Sequence, residues 1–299
     1  MNKPTRVLLQ FIVACIGIIF IGAIPKLFEV ERVFDEEGET ATGPLFNFSG
    51  YFEGIKDLFG KLMNVSEITY NANGTVRPIF PKIFEPYLYS AEILLGALLI
   101  GIVSAIVLTY ITMLLHRKII SGFKFVTFVL ESLPDILVIV GVQAIIIYIF
   151  QKTGVRLFSI AVYRENIYVL PIICLAVLPA VQFYKVLLLI FEEELEEHYV
   201  ELAKGKGMKK SWILLVHVLR NAGISMFYHS KAILWFMLSN LVILEYFFNL
   251  YGITAFLLDY ITSEIFTVGL FMIFIPLFIV YTSGEFLIQK LTKREATNL

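Results

Sequence analysis

Charged residues and cysteines are both scarce in this sequence of 299 residues. Only 16% of the residues are charged, against about 25% in a typical soluble domain. The formal net charge of −1 gives no case for a nucleic-acid partner. The two cysteines, Cys15 and Cys174, stand far apart in apolar runs without the spacing of a metal or redox motif, so we interpret them as buried free thiols.

Apolar residues are correspondingly abundant, at 58% of the chain, and this content requires a lipid solvent. A helix needs about 20 mostly apolar residues to cross the hydrocarbon of a bilayer. Six segments meet this length or come close to it: residues 7–24, 93–115, 125–150, 167–191, 223–246 and 265–284. The first is long for the apolar core of a signal peptide, about 7–15 residues, and lacks a clear cleavage site, so we predict a retained span.

Basic residues between the spans predict the orientation of the chain. Four basic flanks fall on one side of a six-span protein, which predicts cytoplasmic N- and C-termini; the loop after residue 151 disagrees with the other loops. The four flanks are residues 3–6, 117–124, 204–220 and 290–294. We therefore divide the chain into an N-terminal transmembrane helix (1–25), an extracytoplasmic loop subdomain (26–89), a core of five helices (90–288) and a cytoplasmic tail (289–299).

The first loop, residues 26–89, is polar and shows no strong helical period. It contains ten acidic and six basic residues, so we expect it to face outward. Its aromatic residues provide a candidate core for a small subdomain: Phe46, Phe48, Tyr51, Phe52, Phe80 and Phe84.

The second large loop, residues 192–221, is acidic in its first half and basic in its second half. Gly205 and Gly207 should end a first helix, because glycine readily adopts the left-handed conformation at a helix C-terminus. An amphipathic stretch follows and should lie along the membrane face; its apolar residues are Ile213, Leu214, Val216, Val218 and Leu219. The expected shape is a rigid elbow, and the alternative is a solvated connector.

The order of residues in this loop resembles the cytoplasmic signature of bacterial ABC importer permeases. That signature is Glu-Ala-Ala followed after three residues by Gly, and here Glu201, Ala203 and Gly207 stand at its spacing, with Leu202 in the middle position. The end of the loop, residues 217–222, reads His-Val-Leu-Arg-Asn-Ala and resembles the oligopeptide, dipeptide and nickel branch of these permeases.

Weaker similarities extend over the rest of the chain. They are Leu170-Pro171, Leu178-Pro179, Ser132-Leu133-Pro134, Glu245 at the end of the fifth span, and Gly252 in the turn after it. The Pro-Gly-Asp-Pro that usually follows the first span and the usual C-terminal Asp-Pro-Arg are missing, and the turn Tyr251-Gly252-Ile253 lacks the family's proline. The sequence is therefore identified as a divergent member of the oligopeptide, dipeptide and nickel branch of ABC importer permeases.

The resemblance implies an all-α transmembrane fold: a six-helix ABC importer permease with an extracytoplasmic loop subdomain after helix 1 and a cytoplasmic coupling helix between helices 4 and 5. The chain has no GxxxxGK[ST] sequence to hold ATP phosphates, and we expect no cofactor or metal in it. The implied partners are two cytoplasmic ABC ATPase subunits that carry ATP and Mg, a second related permease subunit, an extracytoplasmic substrate-binding lipoprotein and membrane lipid. The implied location is the bacterial cytoplasmic membrane.

Residues 192–207 are the predicted coupling helix, with Ala203 suited to close approach by another protein and Gly207 suited to the turn. The residues expected to carry ATPase coupling are Tyr199, Glu201, Ala203, Gly207, Leu219, Arg220 and Asn221. The solute implied by the branch is a peptide, but nickel chelates and other ligands use the same type of permease.

Polar residues inside spans are costly and tend to face a cavity or a partner, so they are candidates for the solute pathway. They are Glu131, Asp135, Gln143, Gln182, Lys231, Asn240 and Glu245. Lys231 either lines the pathway or extends its side chain to the cytoplasmic interface. Two other functions stay open: a non-transporting scaffold or sensor derived from a permease, and an ATPase-independent secondary transporter or channel.

Overall fold

The computed structural model describes residues 3–28, 32–35, 38–41, 46–72, 74–115, 117–155 and 166–297. It is mostly helical, and six of its helices are long and apolar enough to cross a membrane. These are Pro4–Leu27, Phe84–Leu114, Asp135–Thr153, Val169–Glu194, Lys210–Phe247 and Ser263–Lys290. The predicted all-α transmembrane class with six spans is therefore confirmed.

The chain forms two compact units, residues 1–87 with 255–299, and residues 88–254. The second unit begins close to the predicted boundary at residue 89. The sixth span, expected in the core 90–288, groups instead with the first span and the loop that follows it.

The first unit is built around two long helices, α1 (Lys3–Gly22) and α12 (Ser263–Thr297), which pack against each other. Gly22 lies directly against Thr267, where a side-chain carbon would have no room. The helix α12 continues through the predicted tail as far as Thr297. The remaining elements before the second span are α2 (Ile24–Leu27), the hairpin of β1 (Arg32–Asp35) and β2 (Gly38–Ala41), α3 (Phe48–Met63), a 3-10 turn (Val65–Glu67), and the hairpin of β3 (Thr69–Ala72) and β4 (Thr75–Pro78).

The loop subdomain differs from its prediction in two respects. A helix of 16 residues, α3, occupies a region in which no strong helical period was evident, and Asn47 caps its N-terminus by accepting a hydrogen bond from the Gly50 N–H at 2.8 Å. The aromatic residues expected in its core are mostly exposed, including Phe48 and Phe52. Three isoleucines that follow α3 in the sequence are buried instead: Ile68, Ile79 and Ile83.

The second unit contains most of α4 (Phe84–Leu114), α5 (Arg117–Glu131), α6 (Asp135–Thr153), α7 (Val169–Glu194), α8 (His198–Gly205), α9 (Lys210–Trp212), a π-helical turn (Ile213–Val218) and α10 (Leu219–Phe247). The short α11 (Ile253–Asp259) begins at its end. The central helix is α7, which is buried over a larger share of its length than any other described span. Gly101 of α4 lies beside the α7 backbone, and a side-chain carbon added there would be in ordinary contact with the Ala180 nitrogen at 3.5 Å.

The predicted third span, 125–150, is wrong as a single helix. It is divided into α5 and α6 by the turn Ser132-Leu133-Pro134. A proline disfavours the helical conformation in the residue before it and has no N–H for the preceding turn, so a helix tends to end there. Only α6 is long and apolar enough to cross a membrane, and α5 is a separate helix of 15 residues packed on α7.

Hydrogen bonds join α4 to α10 and to the segment before α7 at one end of the bundle, and α7 to α10 at the other end. At one end the Tyr89 hydroxyl donates to the Ile167 carbonyl at 2.7 Å, and Ser90 donates to Glu245. At the other end Asn221 donates to Glu194 at 3.2 Å. Between Asn221 and Glu245 a helix rises about 36 Å at about 1.5 Å per residue, so the two layers stand slightly further apart than the hydrocarbon thickness of a bilayer, about 30 Å.

Candidate functional site: the elbow between α7 and α10

The elbow, residues 192–221, contains a short separate helix. Of the predicted coupling helix 192–207, the first three residues belong to the end of α7 and only His198–Gly205 form α8. Residues 195–197 make the change of direction between the two helices. The expected continuous helix is therefore wrong in its extent, while its position between the fourth and fifth spans agrees with the prediction.

The C-terminus of α8 ends in a Schellman motif, as the glycines predicted. Gly207 has a φ of +76°, the left-handed conformation that glycine adopts without steric cost. The Met208 N–H donates to the Ala203 carbonyl at 3.2 Å, and the Gly207 N–H donates to the Lys204 carbonyl at 2.9 Å. These bonds satisfy the last carbonyls of α8 and fix the direction in which the chain leaves it.

The inner face of α8 packs on its own chain. Val200 is fully buried and Ala203, one turn further, is only 5% exposed. The small side chain of Ala203 therefore serves close packing inside the elbow. The expectation that Ala203 suits a face approached closely by another protein stays a prediction.

The outer face of α8 is open and mixed in character. Glu201, Leu202 and Lys204 are all exposed, and Leu202 is an isolated apolar side chain with 62% of its surface accessible. Glu201 lies 3.5 Å from the imidazole of His198 on the preceding turn. An apolar side chain bordered by charges of both signs is suited to a protein contact.

A hydrogen-bonded group ties α8 to both neighbouring spans. The Tyr199 hydroxyl donates to the carboxylate of Glu194 at the end of α7, and the Asn221 amide of α10 donates to the same carboxylate oxygen. Burial, together with the hydrogen bond to Glu194, raises the pKa of the Tyr199 phenol, so it remains a neutral donor at physiological pH. The ring of His217 lies beside Tyr199, with ring centres 6.4 Å apart. We refer to Glu194, Tyr199 and Asn221 as the elbow brace.

The return from the elbow also differs from its prediction. The segment expected along the membrane face enters the span directly, because α9, the π-helical turn and α10 form one uninterrupted helical stretch from Lys210 to Phe247. Ile213, Leu214 and Val218 are buried inside the protein rather than exposed to lipid. Leu219 is half-buried, and Arg220 is exposed at the start of α10.

Two of the pathway candidates lie at the turn between α5 and α6. Glu131, at the end of α5, forms an ion pair with Lys185 of α7. A second pair, Lys124 with Glu192 at 3.0 Å, lies seven residues away on both helices, which shows that α5 runs antiparallel to α7. Asp135 is half-buried at the first turn of α6, where the partial positive charge of a helix N-terminus favours a carboxylate.

Glu245 has a structural position. Its side chain is 1% exposed and accepts hydrogen bonds from the Ser90 hydroxyl, from the Thr254 N–H at 3.0 Å and from the Thr254 hydroxyl. The Ser90 oxygen in turn accepts from the Ile253 N–H at 2.7 Å. A side-chain carbon added at Gly252 would fall within 3.0 Å of both the carboxylate and the Ser90 hydroxyl. Glu245 therefore holds the turn between α10 and α11, and its role as a pathway residue stays a prediction.

The other pathway candidates occupy separate positions. Gln143 of α6 donates to the Phe247 carbonyl at the end of α10, at 3.3 Å, and so supports helix packing. Asn240 is 6% exposed on the buried side of α10. Gln182 is half-buried on α7, and Lys231 is exposed on α10.

The structure therefore brings together Tyr199 and Asn221 from the predicted coupling set, but not the seven pathway candidates as one group. Sequence analysis missed Glu194, the acceptor of the brace, and Ser90, the partner of Glu245. The signal for Glu194 was present, because it belongs to the acidic run that follows the fourth span and lies five residues before Tyr199. Among the described residues, no group of three or more His, Cys, Asp or Glu side chains could hold a metal ion.

Comparison with known proteins agrees with this architecture. No curated protein matches the chain. Residues 97–295, which cover most of α4 and the whole of the elbow, match the family described as binding-protein-dependent transport system inner membrane component. The chain therefore belongs to this family and is a multi-pass membrane permease of an ABC-type transport system.

Proposed function

We propose that this permease moves a small solute, a peptide, into the cell across a bacterial cytoplasmic membrane, driven by ATP hydrolysis on separate subunits. The direction and the peptide follow from the resemblance of residues 217–222 to the oligopeptide branch, since His217, Arg220 and Asn221 stand at its positions. In this arrangement the elbow and both termini face the cytoplasm.

The complex that we propose contains this chain, a second related permease subunit, two cytoplasmic ATPase subunits that bind ATP and Mg, and an extracytoplasmic substrate-binding lipoprotein. The elbow receives an ATPase subunit through the outer face of α8. Of the residues predicted to carry coupling, Glu201 lies on this face, Tyr199 and Ala203 support it from within, and Gly207 forms the turn at its end.

The observation that carries the proposal is the elbow brace. A connector that only links two spans needs no bonds to either of them, whereas α8 is bonded to the end of α7 and to the start of α10 through one carboxylate. The Schellman motif at Gly207 removes the remaining freedom of the loop. A push on α8 is therefore transmitted to α7 and α10 together, as a rigid-body switch between inward and outward states requires.

The docking role is tested by co-purification of the ATPase subunits with the chain from native membranes. Replacing Leu202 with Glu removes the exposed apolar contact and should weaken docking by tenfold or more, since burying a leucine side chain contributes about 1.5–3 kcal/mol. The matched control is Val76→Glu, because Val76 is an equally exposed apolar residue on β4. Recovery of the ATPase with Leu202→Glu at the level of the control would contradict the proposal.

Transport itself is tested with the complete complex in proteoliposomes. ATP-dependent accumulation of labelled peptides that requires the binding protein supports the importer. A complex that hydrolyses ATP but accumulates none of a random peptide library would instead favour a permease-derived scaffold or sensor.

A further inference from the structure

One face of α10 has a composition that a lipid-facing surface would not have. Its exposed residues recur every four or three positions along the whole helix, which places them in a single stripe. The stripe consists of Arg220, Ile224, Tyr228, Lys231, Trp235, Ser239, Val242 and Tyr246. It therefore combines two cations and a hydroxyl with three aromatic residues that carry polar groups.

The exposed faces of the other spans provide the comparison. The accessible large side chains of α1 include Leu9, Val13 and Phe20, and those of α4 include Leu99 and Val103. These faces carry mainly aliphatic and phenylalanine side chains, as contact with lipid tails requires, and the exposed Gln10 of α1 and Tyr148 of α6 are exceptions among the spans. Of the six spans found among the described residues, the one that contains α10 is the least apolar.

The depth of Lys231 follows from the register of α10 against α7. The contact between Asn221 and Glu194 marks the elbow end of both helices. Lys231 lies ten residues further along α10, about 15 Å into the bundle at about 1.5 Å per residue, and Lys185 lies at nearly the same depth on α7. This is about half of the hydrocarbon thickness of about 30 Å, where an exposed cation is costly unless it faces water or a partner.

The charges at this depth do not cancel on the α10 stripe. Lys185 is neutralised by its ion pair with Glu131, and Asp135 stands at the N-terminus of α6, which offsets part of its charge. Among the described residues no carboxylate forms an ion pair with Lys231. The only acidic residue of α10, Glu245, is buried away from the stripe.

We propose that this stripe lines the water-filled path of the permease, and that Lys231, with Arg220 at the elbow end, makes the path selective for solutes that carry a carboxylate or another negative group. The proposal rests on the proposed transport function and adds the charge of the solute to it. Electrostatic attraction of this kind raises the local concentration of ions of opposite charge.

The test uses small charged thiol reagents as the solutes. Cys15 and Cys174 are replaced with Ala, and a cysteine is introduced in place of Trp235, one turn from Lys231, or of Ser239 in a second variant. The reaction rates of anionic sulfonatoethyl and cationic trimethylammonioethyl methanethiosulfonate are measured in native membranes, without nucleotide and with ATP and vanadate. Each rate is divided by the rate of the same reagent with free cysteine.

In at least one of the two states we expect the introduced thiol to react from water, with the anionic reagent favoured about tenfold, the lower end of electrostatic steering effects. Lys231→Gln should bring the preference close to one, and Lys231→Arg should keep it. The matched control is Lys56→Gln, since Lys56 is an exposed lysine of α3 outside the spans, and it should change nothing.

Thiols that stay unreactive at both positions would overturn the path assignment, because the stripe would then face lipid or protein. Reaction without preference for the anion, or a preference that survives Lys231→Gln, would overturn the charge selection. These outcomes can be distinguished from failure of the proposed function. Loss of ATPase docking with normal thiol reactivity would refute the coupling role alone. Unreactive thiols with intact ATPase docking would refute the path assignment alone.

Discussion

Among the described glycines of the second unit, Gly252, in the turn between α10 and α11, has the least room for a side chain. Gly252→Ala places a methyl group within 3.0 Å of the Glu245 carboxylate and of the Ser90 hydroxyl. The carboxylate cannot move away without lengthening its buried bond to Ser90 and its part-buried bonds to Thr254. The substitution therefore forces either overpacking or the loss of hydrogen bonds to a buried charge.

Overpacking and loss of hydrogen bonds would lower the free energy of unfolding by similar amounts. Overpacking of a closely packed site costs about 1–3 kcal/mol, and a hydrogen bond to a charged group contributes about 1.5–3 kcal/mol. We therefore expect Gly252→Ala to destabilise the protein by about 3 kcal/mol, which lowers the melting temperature by about 6–12 °C for a unit of roughly 150–250 residues.

The assay is thermal unfolding in detergent, followed with a thiol-reactive fluorescent dye. Cys174 on α7 is 4% exposed and becomes reactive only on unfolding, so Cys15 is replaced with Ala to leave one reporter. The control is Gly141→Ala in α6, where an added side-chain carbon meets no atom within 4 Å. A helical glycine in open space gains about 0.5–1 kcal/mol on replacement with alanine, so the control should not be destabilised. An equal melting temperature for the two variants would refute the steric argument for Gly252.

Three further predictions concern the elbow and α5. Tyr199→Phe removes the hydroxyl that bonds α8 to the end of α7, and a hydrogen bond to a charged group contributes about 1.5–3 kcal/mol. We expect this variant to accumulate less solute per ATP hydrolysed in proteoliposomes. An unchanged ratio of solute to ATP would show that the brace does not transmit force. Gly207→Ala should lower the melting temperature through a cost of about 1 kcal/mol for the left-handed conformation, and Gly205→Ala, at ordinary backbone angles, should not; equal effects would argue against the conformational cause. Glu131→Lys should destabilise the packing of α5 by less than about 1 kcal/mol, because its ion pair with Lys185 is half-exposed. Adding Lys185→Glu should restore the melting temperature in the same assay. A double variant that is no more stable than Glu131→Lys alone would exclude pairwise attraction.

The number of spans and the position of the elbow could be predicted because both depend on local properties of the chain. A membrane span is a count of consecutive apolar residues, and the end of α8 is a consequence of the conformational freedom of Gly207. The division of the third span was predictable in principle from Pro134, but the apolar residues on both sides of it outweighed that signal.

The partners of individual polar residues could not be predicted in the same way. Glu245 has an ordinary appearance for a carboxylate at the end of a span, and only its contact with Ser90, 155 residues earlier in the chain, shows that it is buried and structural. Ala203 is equally ambiguous, because a small residue suits the packing of its own chain as well as contact with another protein.

By itself the sequence determined that this is a membrane protein, how many times the chain can cross the membrane, and where a glycine turn ends the short helix between the fourth and fifth spans. Hydropathy and backbone conformational preference depend on residues that are neighbours in sequence, so these features can be predicted from the sequence. Only the tertiary structure decided which polar groups meet: Glu194 with Tyr199, Glu131 with Lys185, and Ser90 with Glu245. The reason is that such meetings depend on the register and rotation of packed helices, in which a shift of one residue turns a side chain by about 100° and separates the pair.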